Sequence, residues 1–551
     1  MKTNWWKEAI VYQIYPRSFK DSSGNGMGDI EGIVEKLDYI KSLGVDIIWL
    51  CPIYQSPNAD NGYDISDYRS ISDEFGGNAA FEKLITGIHN RGMKLMMDLV
   101  ANHSSDQHFW FQEAKKSVTN HYHDYYHWRK GNPNTPPNNW QSVFNGSTWE
   151  WNPATEEYYL HLYTNKQPDL NWENPSVRQE IYAIIAYWLD KGVDGFRMDV
   201  ISLISKRLNF ESIPSDFPVN DVMEMVYANG PRVHEFLKEM NKEVLSKYDI
   251  VTVGEGPGVN LTHGPHYVSE TEKELNMVFH FDHMMMDFGK NGKYDPIPID
   301  WIRFKQIFAQ WDAANAKEGW NSIFLGNHDF SRIVSRFGND TKYREFSATL
   351  FVTLLMTLRG TPYIYQGDEI GMTNIQLDTI DDYDDVETRN AWAEAEKNGQ
   401  DMTRFLQAVH LQSRDNARTP MQWDDSHQAG FSKATPWIPV NPNYKNINVE
   451  NAERDPASIL HYYRKMVAFR KANPTLVYGN FKDLAPNHPQ LYLYERKNAT
   501  QELLIVHNLG DTNQEWKLED TAYKFCIGNY SKQKTTELQP WESRVYRLDK
   551  A

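Results

Sequence analysis

Up to residue 367 the chain repeats one pattern: a short run of strand-forming residues, then a stretch with helical periodicity. The strand-like runs are AIVYQIY (9–15), DIIWL (46–50), KLMMDLV (94–100), GFRMDV (195–200), IVTVGE (250–255), NMVFHF (276–281), NSIFLG (321–326) and TPYIYQG (361–367). Apolar residues at a period near 3.6 predict helices over 30–44, 79–92, 175–192 and 231–248, which alternate with the runs. Eight βα units in succession predict an α/β fold, a parallel (β/α)8 TIM barrel.

Two stretches depart from the alternation, and the chain's end changes character. Residues 104–174, rich in Asn, Pro, His, Tyr and Trp, are too long for a simple loop and predict a small inserted domain after strand three. The barrel is therefore expected in two parts, 1–103 and 175–479, with an acidic, irregular subdomain at about 368–457 after strand eight and a helix at about 458–472. From 480 to 551 the runs QLYLYER and ELLIVHNL alternate without helical period and predict a C-terminal antiparallel β domain. A chain of 551 residues has ample length for this division.

The formal net charge of -17 argues against nucleic acid or an anionic membrane as a partner, since both would repel the chain. The apolar run 346–358 is shorter than a bilayer span and reads as a buried helix. MKTNWWKEAI lacks the pattern of a secretory signal, so a cytoplasmic location is expected. Cys51 and Cys526 fall in different elements and read as free thiols. An aromatic content of 13% fits a partner with flat, apolar faces, such as a small neutral oligosaccharide. A monomer is expected, with a dimer as the alternative.

In such a barrel the chemistry lies at the C-terminal ends of the strands. Those ends carry Asp60, Tyr63 and Asp64 after strand two, Asn102 and His103 after strand three, Arg197 and Asp199 on strand four, Glu255 on strand five, and Asn327, His328 and Asp329 after strand seven. Arg197, two residues before Asp199, faces the same side of its strand and is expected to hold that carboxylate ionised. Glu255 has no such neighbour along the chain, and burial at its strand end is expected to keep it protonated. One carboxylate as base or nucleophile and one as acid is the requirement of glycoside hydrolysis.

The runs DLVANH (98–103), GFRMDV, VGE and NHD (327–329), in this order, resemble the signature regions of the α-amylase family, glycoside hydrolase family 13. QPDLN (167–171) and SRDNARTPMQW (413–423) are similar to segments of its oligo-1,6-glucosidase and α-glucosidase branch. The resemblance implies a retaining mechanism with Asp199 as nucleophile, Glu255 as acid and then base, and Asp329 as a third carboxylate that holds the sugar. It implies that His103 and His328 bond sugar hydroxyls, that Arg197 orients Asp199, that Tyr63 stacks under the ring, and that Asp60 and Arg414 clamp its non-reducing end.

In this branch Val after the nucleophile accompanies α-1,6 preference and Ala accompanies α-1,4 preference; here the residue is Val200. An exo-acting α-1,6-glucosidase for isomaltose and short isomalto-oligosaccharides is the first expectation, with some transglycosylation. The alternatives are an α-glucosidase or glucosyltransferase preferring sucrose or α-1,4-linked maltose, trehalose 6-phosphate as substrate, and a non-catalytic sugar-binding relative. Gly326, Phe330 and Ser331 depart from the branch's usual residues near the leaving sugar. DHMMMDF (282–288) lacks the arginines that sucrose isomerases carry there.

No cofactor is expected in catalysis. In the loop 21–29, Asp21, Ser23, Asn25, the Met27 carbonyl and Asp29 space oxygen groups as calcium loops do, which predicts a structural Ca2+; an ordinary polar turn is the alternative. HYHDYYHW (121–128) reads as domain packing, and DTIDDYDDVE (378–387) as a solvated acidic surface.

Overall fold

The computed structural model describes residues 4–218 and 221–549. All eight runs form strands: β1 Val11–Ile14, β2 Ile47–Leu50, β3 Lys94–Val100, β4 Gly195–Asp199, β5 Val251–Glu255, β6 Met277–Phe279, β7 Ser322–Ile323 and β8 Thr361–Tyr365. They pair in parallel in the order β6-β5-β4-β3-β2-β1-β8-β7, and β6 lies against β7, so the sheet is a nearly closed barrel. Alternation along the strands aims Val11, Ile47, Trp49, Met96, Val251, Val253, Met277, Phe279 and Tyr363 into one cluster that fills the interior. The opposite strand faces pack on the surrounding helices in a larger cluster.

The helices follow local signals. Pro175–Asp190 starts at Asn174, whose side chain accepts from the Ser176 N–H, and it buries Val177, Ile181, Ile184, Ile185 and Trp188 on one face. The predicted helix 30–44 divides into Ile30–Glu35 and Leu37–Ser42 at Lys36, whose backbone leaves helical geometry. The helix expected over 231–248 ends at Glu243 and a short turn follows. Arg344–Thr357 is buried on every side from Ser347 onward, as its uniform apolarity predicts.

Within 104–174 lie the helix Phe109–Ala114 and an antiparallel sheet of Trp128–Lys130, Glu157–Leu160 and Trp149–Asn152. The HYHDYYHW stretch packs there, with His123 and Phe111 stacked on Trp128 at ring distances of 4.7 and 5.8 Å. A buried ammonium ties this insert to the barrel: Lys206 Nζ lies 2.7 Å from Asp169 and donates to Asn102 at 2.6 Å. After β8 the chain is less irregular than expected. It forms the helices Val386–Lys397 and Met402–Gln412, each capped by an aspartate, Asp385 and Asp401. The C-terminal sheet has five antiparallel strands, Asn480–Asp483, Leu491–Lys497, Gln501–Asn508, Ser543–Asp549 and Lys524–Gly528 in spatial order. Cys51 and Cys526 are free thiols.

Candidate active site

Register brings the carboxylates together. Arg197 on β4 lies opposite Asp98 on β3 and Val253 on β5, so two residues further along Asp199 and Glu255 end neighbouring strands on the same inward face. Arg197, 1% exposed, spans the group: its Nη1 lies 2.5 Å from Asp98 and 2.8 Å from Asp199, and its Nη2 lies 2.8 Å from Glu255. The expectation that Glu255 lacks a cation is therefore overturned, because a neighbour across the sheet is invisible along the chain.

Burial raises both Asp199 and Glu255 against the pull of Arg197, with the Glu255 charge adding to the rise of Asp199 and the Asp329 charge to that of Glu255, so the expectation that Arg197 alone holds Asp199 ionised is corrected. Two buried carboxyls bound to one guanidinium interact strongly, so they titrate as a pair rather than singly. Burial likewise lifts Asp98 to about 6 despite Arg197.

β4 stops at Asp199, and Val200 turns into the left-handed region at φ 36°. The expectation of Val200 as a strand residue is thus corrected. The turn directs its N–H onto Glu255 Oε2 at 3.0 Å. With Arg197 on the same oxygen, Oε1 of Glu255 is the one free to exchange a proton.

Asp329 is drawn down instead. Burial opposes this, but His328, Arg414 at 3.3 Å and Arg418 at 2.9 Å hold its carboxyl well below the usual range. His328 is pushed down to about 3 by burial and stays neutral. Gln13 donates to its Nδ1 at 2.8 Å, which leaves the ring proton on Nε2, 2.6 Å from the Tyr63 hydroxyl and 3.1 Å from Asp329. Tyr63 stacks on the His328 ring at 5.4 Å. His103, lowered to about 4 by burial, receives the Asn102 amide at Nδ1 and points Nε2 at the Tyr63 carbonyl, 3.2 Å away.

These groups line a pocket of about 320 Å³. Asp60, Tyr63, His103, Asp199, Val200, Glu255, Asp329 and Arg414 are in its wall, while Arg197 and His328 lie behind it. Phe330 is in the wall, and Gly326 and Ser331 are not. In the wall Asp60 and Arg414 stand 3.6 Å apart, with Gln167 donating to Asp60 at 3.1 Å. The wall also carries the apolar Met223, Val259, Phe281, Met285 and Phe288, with Glu224 and Asp282 near them in the chain. Asp64 faces away and holds the turn by accepting the N–H groups of Ala59 and Asp60.

The sequence reading missed several residues. Phe144 and Tyr163 reach the pocket from the insert, and nothing in an aromatic-rich stretch singles them out. Arg418 follows Arg414 by one helical turn, a spacing that could have been noticed. The acidic run 378–387 is not all solvated surface: Asp385 is fully buried 2.6 Å from Arg414, and Glu387 lines the pocket 2.6 Å from Lys293.

The loop 21–29 closes on itself. Asp21 accepts from the Ser23 hydroxyl and the Gly24 N–H through Oδ1, and from the Gly26 N–H and the Ser432 hydroxyl through Oδ2. Asp29 accepts from Ser22, Ser23 and Gly32, and Asn25 from the Met27 N–H. Both carboxylates already face N–H and O–H donors, so the donor set fits a self-closed polar turn. Among the described residues no group of three or more His, Cys, Asp and Glu is arranged to hold a metal, and no helix is long and apolar enough to cross a membrane.

The alpha-amylase catalytic-domain family matches residues 13–479, and the C-terminal domain family of the alpha-amylase SusG matches 491–545. The chain is 52% identical to an oligo-1,6-glucosidase of Parageobacillus thermoglucosidasius, with 100% of both chains covered. It is 48% identical to an oligo-1,6-glucosidase of Bacillus cereus, again over 100% of both. Among solved structures, the isomaltulose synthase of Protaminobacter rubrum superposes with a TM-score of 0.97 at 44% identity, covering 100% of each chain.

Proposed function

Because the chain belongs to the α-amylase family, in its oligo-1,6-glucosidase branch, we propose that it releases terminal α-1,6-linked glucose from isomaltose and short isomalto-oligosaccharides with retention of configuration. The observation that carries this reading is that Asp199 and Glu255, bound to one guanidinium at the ends of neighbouring strands, share a pocket wall with the Asp60–Arg414 pair. On this reading Asp60 and Arg414 close the pocket behind one non-reducing glucose, and Asp199 and Glu255, held together by one guanidinium, act as the close pair of a double displacement.

Glu255 gives its proton from Oε1 to the glycosidic oxygen as Asp199, held through Oδ1 by Arg197, attacks the anomeric carbon. The leaving sugar departs past the apolar side chains of the wall. The Glu255 carboxylate then takes a proton from water, whose oxygen displaces Asp199 and frees α-glucose. Asp329, kept ionised by Arg414 and Arg418, and the neutral His103 and His328 bond the ring hydroxyls. Lys293 is paired with Glu387, and Glu224 and Asp282 stand in the pocket wall, which disfavours a phosphorylated substrate.

The test is glucose release from isomaltose, maltose, sucrose and trehalose in parallel, with Asp199→Ala as control and the anomer of the product followed by NMR. Preferred turnover of isomaltose to α-glucose, lost in the control, is expected. Preference for maltose or sucrose overturns the linkage assignment, and initial release of β-glucose overturns the double displacement.

A further inference from the structure

Arg414 closes the glucose end of the pocket, yet the pocket carboxylates hold it loosely: Asp60 is 3.6 Å away, Glu387 3.5 Å and Asp329 3.3 Å. Its closest partner is outside the pocket wall. Asp385 lies 2.6 Å from Nη2 and accepts from Nε at 2.8 Å. Asp385 is 0% exposed and is also the N-cap of the helix Val386–Lys397, accepting from the Glu387 N–H at 3.1 Å and the Thr388 hydroxyl at 2.6 Å.

The cap is itself pinned. The N–H groups of Asp384 and Asp385 both donate to Asp415, at 2.7 and 3.0 Å, so the residue next to Arg414 anchors the residue that holds it. Further along, Asn390 donates to the Phe144 carbonyl at 2.8 Å, and the Phe144 ring lies 4.8 Å under the Arg414 guanidinium. One helix start thus fixes Arg414 on one side and its aromatic support from the insert on the other.

From these contacts we propose that Asp385 is a positioning residue, which holds the Arg414 guanidinium over the glucose end of the pocket without touching the sugar. The assignment rests on the reading of this pocket as the glucose site. A long arginine side chain gives up rotamer freedom when fixed, and a guanidinium facing Asp60, Asp329 and Glu387 without Asp385 has several carboxylates to choose among. Released from Asp385, it leaves the Asp60 side open and weakens capture of glucose.

A double-mutant cycle tests this. Asp385→Asn keeps a side chain that caps helices as well as Asp does and removes the charge. It is measured in the natural background and in Arg414→Ala, with 4-nitrophenyl α-glucoside as substrate, so that the outcome does not depend on the linkage assignment. If Asp385 acts through Arg414, Asp385→Asn lowers kcat/KM about tenfold or more, mostly through KM, in the natural background, on the scale of breaking one partner of a buried pair. In Arg414→Ala the same substitution changes kcat/KM less than about twofold, the limit of independence for additive sites. An unchanged KM, or equal losses in both backgrounds, overturns the proposal. Asp385→Ser, another good cap, replaces Asn if the first variant does not fold. Failure to cleave isomaltose while the cycle shows coupling removes the linkage reading alone.

Discussion

Val200 occupies a conformation that β-branched residues avoid, at a cost of about 1–3 kcal/mol. The turn stays because it places the Val200 N–H on Glu255 and the isopropyl group in the pocket wall beside the nucleophile. That side chain is 6% exposed and belongs to one buried cluster with Trp140, Trp149 and Leu203, which fixes its shape in the pocket wall. A rigid branched wall discriminates between linkages that bring the second sugar in at different angles. Val200→Ala is therefore expected to lower the ratio of kcat/KM for isomaltose over maltose by about tenfold, within the range of methyl-sized changes in an apolar pocket. Parallel kinetics on the two disaccharides check it, and an unchanged ratio shows that Val200 is only a packing residue.

At the scale of elements, what was legible in the chain were the strands and the groups at their ends. β3 runs from Lys94 to Val100 as read, and Asp199, Glu255 and His103 stand where strands stop because period-2 alternation and strand length are local properties. Arg197's bond to Glu255 was not legible, since it depends on which strand lies beside β4. Asp385 was hidden for another reason: an N-cap carboxylate in an acidic run looks like solvated surface until the helix is seen to turn inward onto Arg414. The loop 21–29 shows the converse. Oxygen groups at alternate positions suggested an ion, yet the same spacing also suits the N–H donors that Asp21 and Asp29 accept. Burial would raise Asp21, but its bonds to Ser432, Gly26, Gly24 and Ser23 outweigh this and lower its pKa. Dialysis against EDTA is expected to leave the Tm unchanged, and calcium added back is expected not to raise it. A Tm that climbs with calcium concentration marks an ion bound to the folded state and favours the calcium loop over the polar turn.

Across the whole molecule, the C-terminal sheet completes the barrel. Arg344–Thr357 is buried on every side from Ser347 onward, and its last carbonyls need donors that water cannot supply. Two guanidiniums provide them. Arg470 donates to the Met356, Leu358 and Gly360 carbonyls. Arg496, from the C-terminal strand Leu491–Lys497, donates to Thr357 and Leu476, both at 2.6 Å, and to Gly479 at 2.9 Å. Arg496 is 0% exposed, and burial draws its pKa down to about 10, so it remains a cation at neutral pH at the negative end of that helix. Lys305 repeats the device on another face, donating to the Ala485, His488 and Leu491 carbonyls. Barrel and C-terminal sheet thus share buried polar groups, because the donors on Arg496 and Lys305 and the carbonyls they bond lie on opposite sides of the boundary. Calorimetry is expected to show one cooperative transition. Arg496→Met keeps much of the buried stem but orphans several carbonyls at about 1–3 kcal/mol each. It should lower that single transition by several degrees, while the KM for isomaltose stays unchanged because Arg496 lies outside the pocket wall. Two resolved transitions in the natural protein, or an Arg496→Met variant as stable as its parent, would mean that the sheet is an appendage and that the barrel closes its last helix by other means.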